Sequence, residues 1–240
     1  MKGEIKMKDQ IVLITGGTSG YGKAMAKAFT DAGAKVVIAA RKENELKDTA
    51  KEIGCDFLRM DVTDYCAWLE AKKMILEKYG RLDVLINNAG GGIAIKNVAD
   101  QTKEEIDKAI ALNLNSVIYG ANVFAPVMCG QGSGTIINIS SVCAKECWPE
   151  WSVYAAAKAG VLNFSKGLYT ELQNQGVRVT CLIPAQAATR FQSAAGLADS
   201  TCKLGVEDIA ETALFICKLP ARAVVEEVTV WGIDQVVVPL

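Results

Sequence analysis

Apolar positions recur along this chain in two rhythms. Short runs rich in Val and Ile, bounded by turn formers, read as buried strands: Ile11-Thr15, Lys35-Ala40, Cys55-Arg59, Leu82-Asn87, Gly134-Ser140, Val177-Ile183 and Val224-Trp231. Between them, longer stretches place apolar residues at helical spacing, near Gly20-Ala32, Glu43-Ile53, Tyr65-Tyr79, Lys103-Met128, Val153-Gln175 and Val206-Lys218. Gly33, Gly80 and Gly176 stand just past helix ends, where a left-handed C-terminal cap favours glycine. Strands alternating with helices predict a parallel sheet, and right-handed crossovers make the simplest arrangement an α/β doubly wound seven-stranded parallel sheet with helices on both faces. No repeat, low-complexity tract or Pro/Ser-rich linker interrupts the pattern, so a single domain over residues 1-240 is expected.

Composition narrows the chemistry. Lys plus Arg number 26 against 27 Asp plus Glu, a formal charge of −1, which leaves no basic surplus for a phosphate backbone or an anionic membrane. The charged start, Met1 to Gln10, leads only into the short apolar run Ile11 to Ile14, far below a signal-peptide core or membrane span, and a cytoplasmic protein is expected. Eight cysteines are scattered without a C-x-x-C pair and no His is present, so no metal site is expected and the thiols read as reduced. The missing His also removes Ser-His-Asp and Cys-His machinery, which leaves Tyr, Lys, Cys or a carboxylate for acid-base work near neutral pH.

Ligands of doubly wound sheets sit at the carboxyl ends of the strands. The first strand runs directly into Thr15-Gly16-Gly17-Thr18-Ser19-Gly20-Tyr21-Gly22 and then a helix, a turn in which glycines let backbone approach a pyrophosphate and a helix N-terminus offers N–H donors. Gly16, Thr18, Ser19, Gly20, Tyr21 and Gly22 are therefore candidates for nucleotide contact, the alternative being an ordinary glycine-rich turn. The second strand ends on Arg41-Lys42, with no acid to accept from the ribose hydroxyl of NAD. Two cations there suit the additional phosphate of NADP, and the other reading of them is a pair of solvated loop charges.

Tyr154 and Lys158 are one helical turn apart, on one face. That spacing alone is common; its setting is not. It follows, in order, the glycine turn, Asp61-Val62, Asn87-Asn88-Ala89-Gly90 at the fourth strand end, Asn113 in a long helix and Ser141 at the fifth strand end. With this ordered set the chain resembles the short-chain dehydrogenase/reductase family over essentially its full length, and its C-terminal part resembles a branch containing NADP-dependent 3-hydroxy-acid and serine dehydrogenases.

The resemblance implies a Rossmann-fold oxidoreductase that interconverts a ketone or aldehyde and an alcohol by hydride transfer, with NADP(H) favoured over NAD. It implies that Tyr154 is the general acid or base, that Ser141 bonds the substrate oxygen, that Lys158 binds the nicotinamide ribose and lowers the Tyr154 pKa, and that Asn113 holds a relaying water. A Tyr titrates near 10, and an ammonium at about 4 Å is worth roughly 4 kcal/mol at an effective dielectric of 20, enough to bring it near neutral. Ser140 and Asn115 are the rivals of Ser141 and Asn113. Asp61 and Val62 match positions that meet adenine, Asn88, Ala89 and Gly90 match those that close over its ribose, and Pro184 and Thr189 match the loop near the carboxamide. Two departures stand out: Pro184-Ala185-Gln186 where the family usually has Pro-Gly, and Trp231-Gly232-Ile233-Asp234-Gln235 where it usually has Asp-Gly-Gly.

By the same resemblance the substrate walls contain Ser141, Cys143, Cys147, Trp148, Trp151, Gln186, Arg190 and Phe191. The tryptophans suit an apolar or ring-bearing substrate or else pack a loop, Arg190 is a carboxylate partner or a solvated charge, and Phe191-Leu204 is a candidate lid. The partner expected is a small carbonyl or alcohol compound, with no nucleic acid and no membrane, in a homodimer or homotetramer paired through the helices at Lys103-Met128 and Val153-Gln175. Rival functions are an NAD-dependent hydroxysteroid dehydrogenase, a 3-oxoacyl-thioester reductase, and a non-catalytic cofactor-sensing protein.

Overall fold

The computed structural model describes residues 7–186 and 202–235. Its elements run β1 (Ile11–Thr15), α1 (Gly20–Asp31), β2 (Lys35–Ala40), α2 (Glu43–Ile53), β3 (Asp56–Arg59), α3 (Tyr65–Tyr79), β4 (Val84–Asn87), α4 (Lys103–Ile110), α5 (Ser116–Gln131), β5 (Gly134–Ile139), α6 (Ser152–Leu172), β6 (Val177–Pro184), α7 (Val206–Lys218) and β7 (Glu227–Val230). The strands form one parallel sheet in the order β3-β2-β1-β4-β5-β6-β7. The order reverses between β1 and β4, and a crevice opens at such a switch point.

Strand alternation sorts the core into two layers. Val12, Ile14, Ile38, Ile86 and Ile137 face one side against Met25 and Phe29 of α1, Leu46 of α2 and Ile209 and Ala213 of α7. Ile11, Leu13, Val37, Leu85 and Ile136 face the other, against Trp68 and Ile75 of α3, Phe124 and Met128 of α5 and Leu168 of α6. Each such side chain contributes about 1.5–3 kcal/mol on leaving water, so a register slip of one residue would expose a whole layer. Gly33, Gly80 and Gly176 have positive φ, as expected of C-terminal caps.

The sequence pattern is followed closely, with two instructive differences. Leu82 was expected to open β4, but the Gln131 side chain takes both its N–H (3.1 Å) and its carbonyl (2.8 Å), and pairing starts at Val84. The expected uninterrupted helix from Lys103 is divided by a π-helical turn at Ala111–Asn115. The Lys103–Gln131 stretch is long and apolar enough, by length and composition, to cross a membrane, with 44% of its most apolar window buried in the fold.

Candidate active site

A cleft of about 850 Å³ runs along the carboxyl edge of the sheet. Its floor at one end is the turn from β1 into α1. Gly16 has φ +67, and a Cβ there would stand 3.1 Å from the Ala89 Cα. Beneath it, a Cβ on Gly22 would stand 2.2 Å from the Gly16 carbonyl oxygen, so the turn closes only on glycine. Ser19 caps α1 without a side-chain hydrogen bond and no acid lies in the first turn, which leaves the N–H groups and the positive helix end directed at the cleft.

The opposite lip, Asn88 to Gly90, is tied to this turn. Thr15 Oγ1 accepts from the N–H groups of Asn88 and Ala89, both at 3.0 Å, and Asn88 Nδ2 donates to the Thr15 carbonyl at 2.8 Å. Below it, Asn87 Nδ2 donates to Asn138 Oδ1 (2.9 Å) and Asn138 Nδ2 to Ser165 Oγ (2.9 Å), a buried chain joining β4, β5 and α6. Asn138 was not singled out by sequence; a polar residue inside an otherwise apolar strand is the signal that marks it.

At the ends of β2 and β3, Arg41, Lys42, Asp61 and Val62 line the cleft. Lys42 Nζ is paired with Glu45 at 2.8 Å, with both side chains well exposed, an association of little net strength. Asp61 accepts from the Thr63 N–H (2.9 Å) and hydroxyl (2.7 Å); with the Arg41 charge, these hold its carboxyl below the ordinary value against the opposing effect of burial, the largest single influence on it.

The other end gathers Ser141, Tyr154 and Lys158. Ser140 commits its hydroxyl to the Lys158 carbonyl at 2.8 Å, whereas Ser141 Oγ accepts from the Cys143 N–H at 3.2 Å and hydrogen-bonds the Tyr154 hydroxyl. Lys158 Nζ donates to the Ile139 carbonyl at 3.0 Å and lies 5.7 Å from the centre of the Tyr154 ring. Burial pushes this ammonium down to about 8. Burial likewise drives the Tyr154 phenol well above its ordinary value, against a smaller opposing effect of Ser141. The expected lowering of Tyr154 by Lys158 is outweighed in this fold: the ammonium bonds a backbone carbonyl 5.7 Å from the ring centre, and desolvation of the phenol is the larger effect.

Asn113 lies in the π-helical turn, fully buried. Its Nδ2 donates to the carbonyls of Gly91 and Ala109, each at 3.0 Å, while its Oδ1 accepts from the Gly91 N–H at 3.0 Å. Such a turn shifts the carbonyl register, which opens Ala109 to a side-chain donor and is a common device at functional sites. A Cβ on Gly90 would stand 3.0 Å from Asn113 Oδ1 and 3.3 Å from Lys158 Nζ, so a bare backbone there lets the two approach.

Of the residues singled out by sequence, Gly22 and Asn113 sit behind the cleft wall, Cys147 is exposed outside it, and Thr189, Arg190 and Phe191 lie outside the described residues. The rest, including Pro184, Cys143, Trp148, Trp151 and Gln186, line the cleft. Ala185 in place of glycine is accommodated without left-handed backbone: its N–H donates to Val230 (2.8 Å) and its carbonyl accepts from the Tyr21 hydroxyl (3.0 Å). Trp231 and Gln235 also line the cleft, unanticipated. Their signal was position: they follow β7 at the carboxyl edge, where ligands of such sheets bind. All eight cysteines are free thiols, and no cluster among the described residues could hold a metal ion.

The family model for short chain dehydrogenase matches residues 10–199. The chain belongs to the short-chain dehydrogenase family. An uncharacterized oxidoreductase of Staphylococcus aureus strain N315 is 34% identical over 227 residues, which cover 93% of this chain and 97% of the relative. The closed form of a serine dehydrogenase complexed with NADP+ is similar at a TM-score of 0.91 and 28% identity, over 96% of this chain and 98% of that one. The 3-ketoacyl-(acyl-carrier-protein) reductase of Brucella melitensis, complexed with NADH, is similar at a TM-score of 0.86 and 28% identity, over 94% and 98%. Membership makes this protein an oxidoreductase on a fold that binds nicotinamide cofactors, and the glycine turn, which a Cβ would fill, fits such a group.

Proposed function

We propose that the protein is an NADP(H)-dependent carbonyl reductase or alcohol dehydrogenase. The observation that carries the reading is the convergence of Ser141, Tyr154 and Lys158 at the carboxyl edge of β5 and α6, in one cleft with the glycine turn. The turn and the α1 N-terminus would receive the pyrophosphate, and the Asn88-Gly90 lip and Asp61 the adenosine. Arg41 is the chief cation for an additional ribose phosphate, with Lys42, only weakly paired with Glu45, beside it.

A bound nicotinamide would supply the hydride and, when oxidised, a positive ring charge. In reduction Tyr154 needs no lowered pKa: as a neutral phenol bonded by Ser141 it is a proton donor as it stands. Ser141 holds the carbonyl oxygen beside that hydroxyl. Lys158, with a pKa near 8, can return a proton toward Tyr154 and be recharged at physiological pH, and Asn113, locked on Gly91, fixes the backbone beside it.

The test is cofactor binding followed by turnover. NADPH at a hundredfold excess over its dissociation constant should stabilise the protein by about 2.7 kcal/mol, with NADH well behind. Tyr154→Phe should keep that stabilisation and lose about 10²–10⁴-fold in NADPH-dependent reduction of a ketone panel. Equal turnover in Tyr154→Phe would remove the assigned acid, and stabilisation by neither cofactor would remove the nucleotide site.

A further inference from the structure

We infer that the compound reduced in this cleft is an uncharged, ring-bearing ketone, and its product the matching secondary alcohol, rather than a carboxylate-bearing oxo or hydroxy acid; the inference rests on the oxidoreductase reading above. The wall beside Tyr154 is aromatic and apolar. Trp151 meets the Tyr154 ring edge-on at 5.4 Å and 76°, and Cys143, Ala155 and Ile95 complete the cluster. Trp148 lines the mouth of the cleft with 43% of its surface exposed.

The turn carrying both indoles is held in an unusual conformation. Glu150 has φ 72, left-handed backbone that a residue with a Cβ adopts at a cost, and the Trp151 N–H donates to the Trp148 carbonyl at 3.2 Å. The strain is local to the loop that presents the two rings, which is where strain serves a binding wall.

The cations flanking that wall among the described residues are committed elsewhere: Lys96, next to Ile95, pairs with Glu105, and Lys145, near Cys143, with Glu227. Gln235 is occupied, its Nε2 on the Gln186 carbonyl and its Oε1 on the Gly232 N–H, each at 2.7 Å. Lys158 is held on Ile139 and depressed by burial. Arg41 and Lys42 end β2, which β1 and β4 separate from β5. Three strand spacings amount to about 14 Å, beyond an Arg side chain's reach to a compound held on Ser141. A carboxylate among Trp148, Trp151 and Cys143 would lose water and gain no uncommitted cation among the described residues, while a ring would pack edge or face against the indoles. In the step itself, the ketone would take a hydride at its carbonyl carbon from a bound reduced nicotinamide and the Tyr154 proton at its oxygen, giving a neutral alcohol, the oxidised nicotinamide and a Tyr154 phenolate that is reprotonated from solvent by way of Lys158.

The experiment compares NADPH oxidation with acetophenone and tetralone against acetoacetate, and NADP+ reduction with serine, in wild type, Trp151→Ala and Arg190→Ala. In parallel, phenylethanol and β-hydroxybutyrate are titrated against the tryptophan fluorescence of wild type, Trp148→Phe and Trp151→Phe. The expected result is a kcat/KM for acetophenone about 100-fold above that for acetoacetate. Trp151→Ala should lower the acetophenone-to-acetoacetate ratio of kcat/KM about tenfold, and phenylethanol alone should quench, through Trp148 and Trp151. Preferred turnover of acetoacetate or serine, above all one lost in Arg190→Ala, overturns the inference and leaves the oxidoreductase reading standing. No Tyr154-dependent turnover of any compound overturns that reading itself. The fluorescence arm then decides the inference alone: quenching by phenylethanol upholds it, and its absence overturns it.

Discussion

At the β1 and β4 end of the cleft the walls are backbone, or side chains tied to backbone; at the Trp148 end they are aromatic faces carried on loops. Thr15 and Asn88 fasten one lip to the other with three bonds of 2.8–3.0 Å, Gly22 closes the turn at a distance no Cβ tolerates, and Gly16 holds left-handed backbone against Ala89. Trp148 and Trp151 share one turn, joined by the Trp151 N–H on the Trp148 carbonyl, with Trp151 edge-on to Tyr154, and Trp231 follows β7; all three present ring faces from loops. The first end is shaped for a ligand whose dimensions never vary, and the second can change its side chains without disturbing the sheet.

Gly22→Ala should break the comparison at its firmest point. The new methyl meets the Gly16 carbonyl at 2.2 Å and Asn88 Nδ2 at 2.6 Å, so the turn must shift. Loss of more than about 2 kcal/mol in chemical denaturation, with NADPH stabilisation abolished, is expected. Trp148→Ala at the other end, being partly exposed, should change stability by less than about 0.5 kcal/mol. Comparable losses for the two would mean that the ends do not differ in rigidity.

The same contrast explains what the sequence disclosed. Strand alternation and glycines before a helix are short-range patterns dictated by backbone geometry, the Asn88, Ser141, Tyr154 and Lys158 series was legible through its resemblance to a known family, and together they placed the sheet and one end of the cleft in advance. The π-helical turn was missed because Asn113 bonds Gly91, 22 residues away, and no local propensity encodes that pairing. Trp231 and Gln235 were missed as cleft residues because only the pairing of β7 with β6 brings them beside Gln186. The Tyr154 pKa was misjudged because residue spacing gives proximity of side chains but neither their burial nor the carbonyl of Ile139 that holds Lys158.

Arg41→Ala sharpens the picture within the nucleotide end. One charge-assisted contact with a ribose phosphate is worth about 1.5–3 kcal/mol, so NADPH binding by calorimetry should weaken about 10–100-fold while NADH binding stays within about twofold. Equal weakening would make Arg41 a general contact and remove the argument for NADP.

Lys158 stands where the two ends meet, and its expected effect is smaller and of opposite sign. Its ordinary pKa of 10.5 falls to about 8 in the fold, with burial the chief cause. Below pH 8 both folded and unfolded chains carry the proton, and the fold bears the cost of a buried charge that the Ile139 bond only partly offsets. Between about 8 and 10.5 the unfolded chain binds more protons than the folded one, so stability rises with pH through that window. Lys158→Met, matched in length and uncharged, should therefore abolish turnover yet raise the melting temperature by about 4 °C at pH 7. That advantage should shrink as pH climbs through the same window. A variant less stable than wild type at pH 7, or a difference flat with pH, would show that the Ile139 carbonyl and neighbouring dipoles already compensate the ammonium, and that Lys158 is held here without strain.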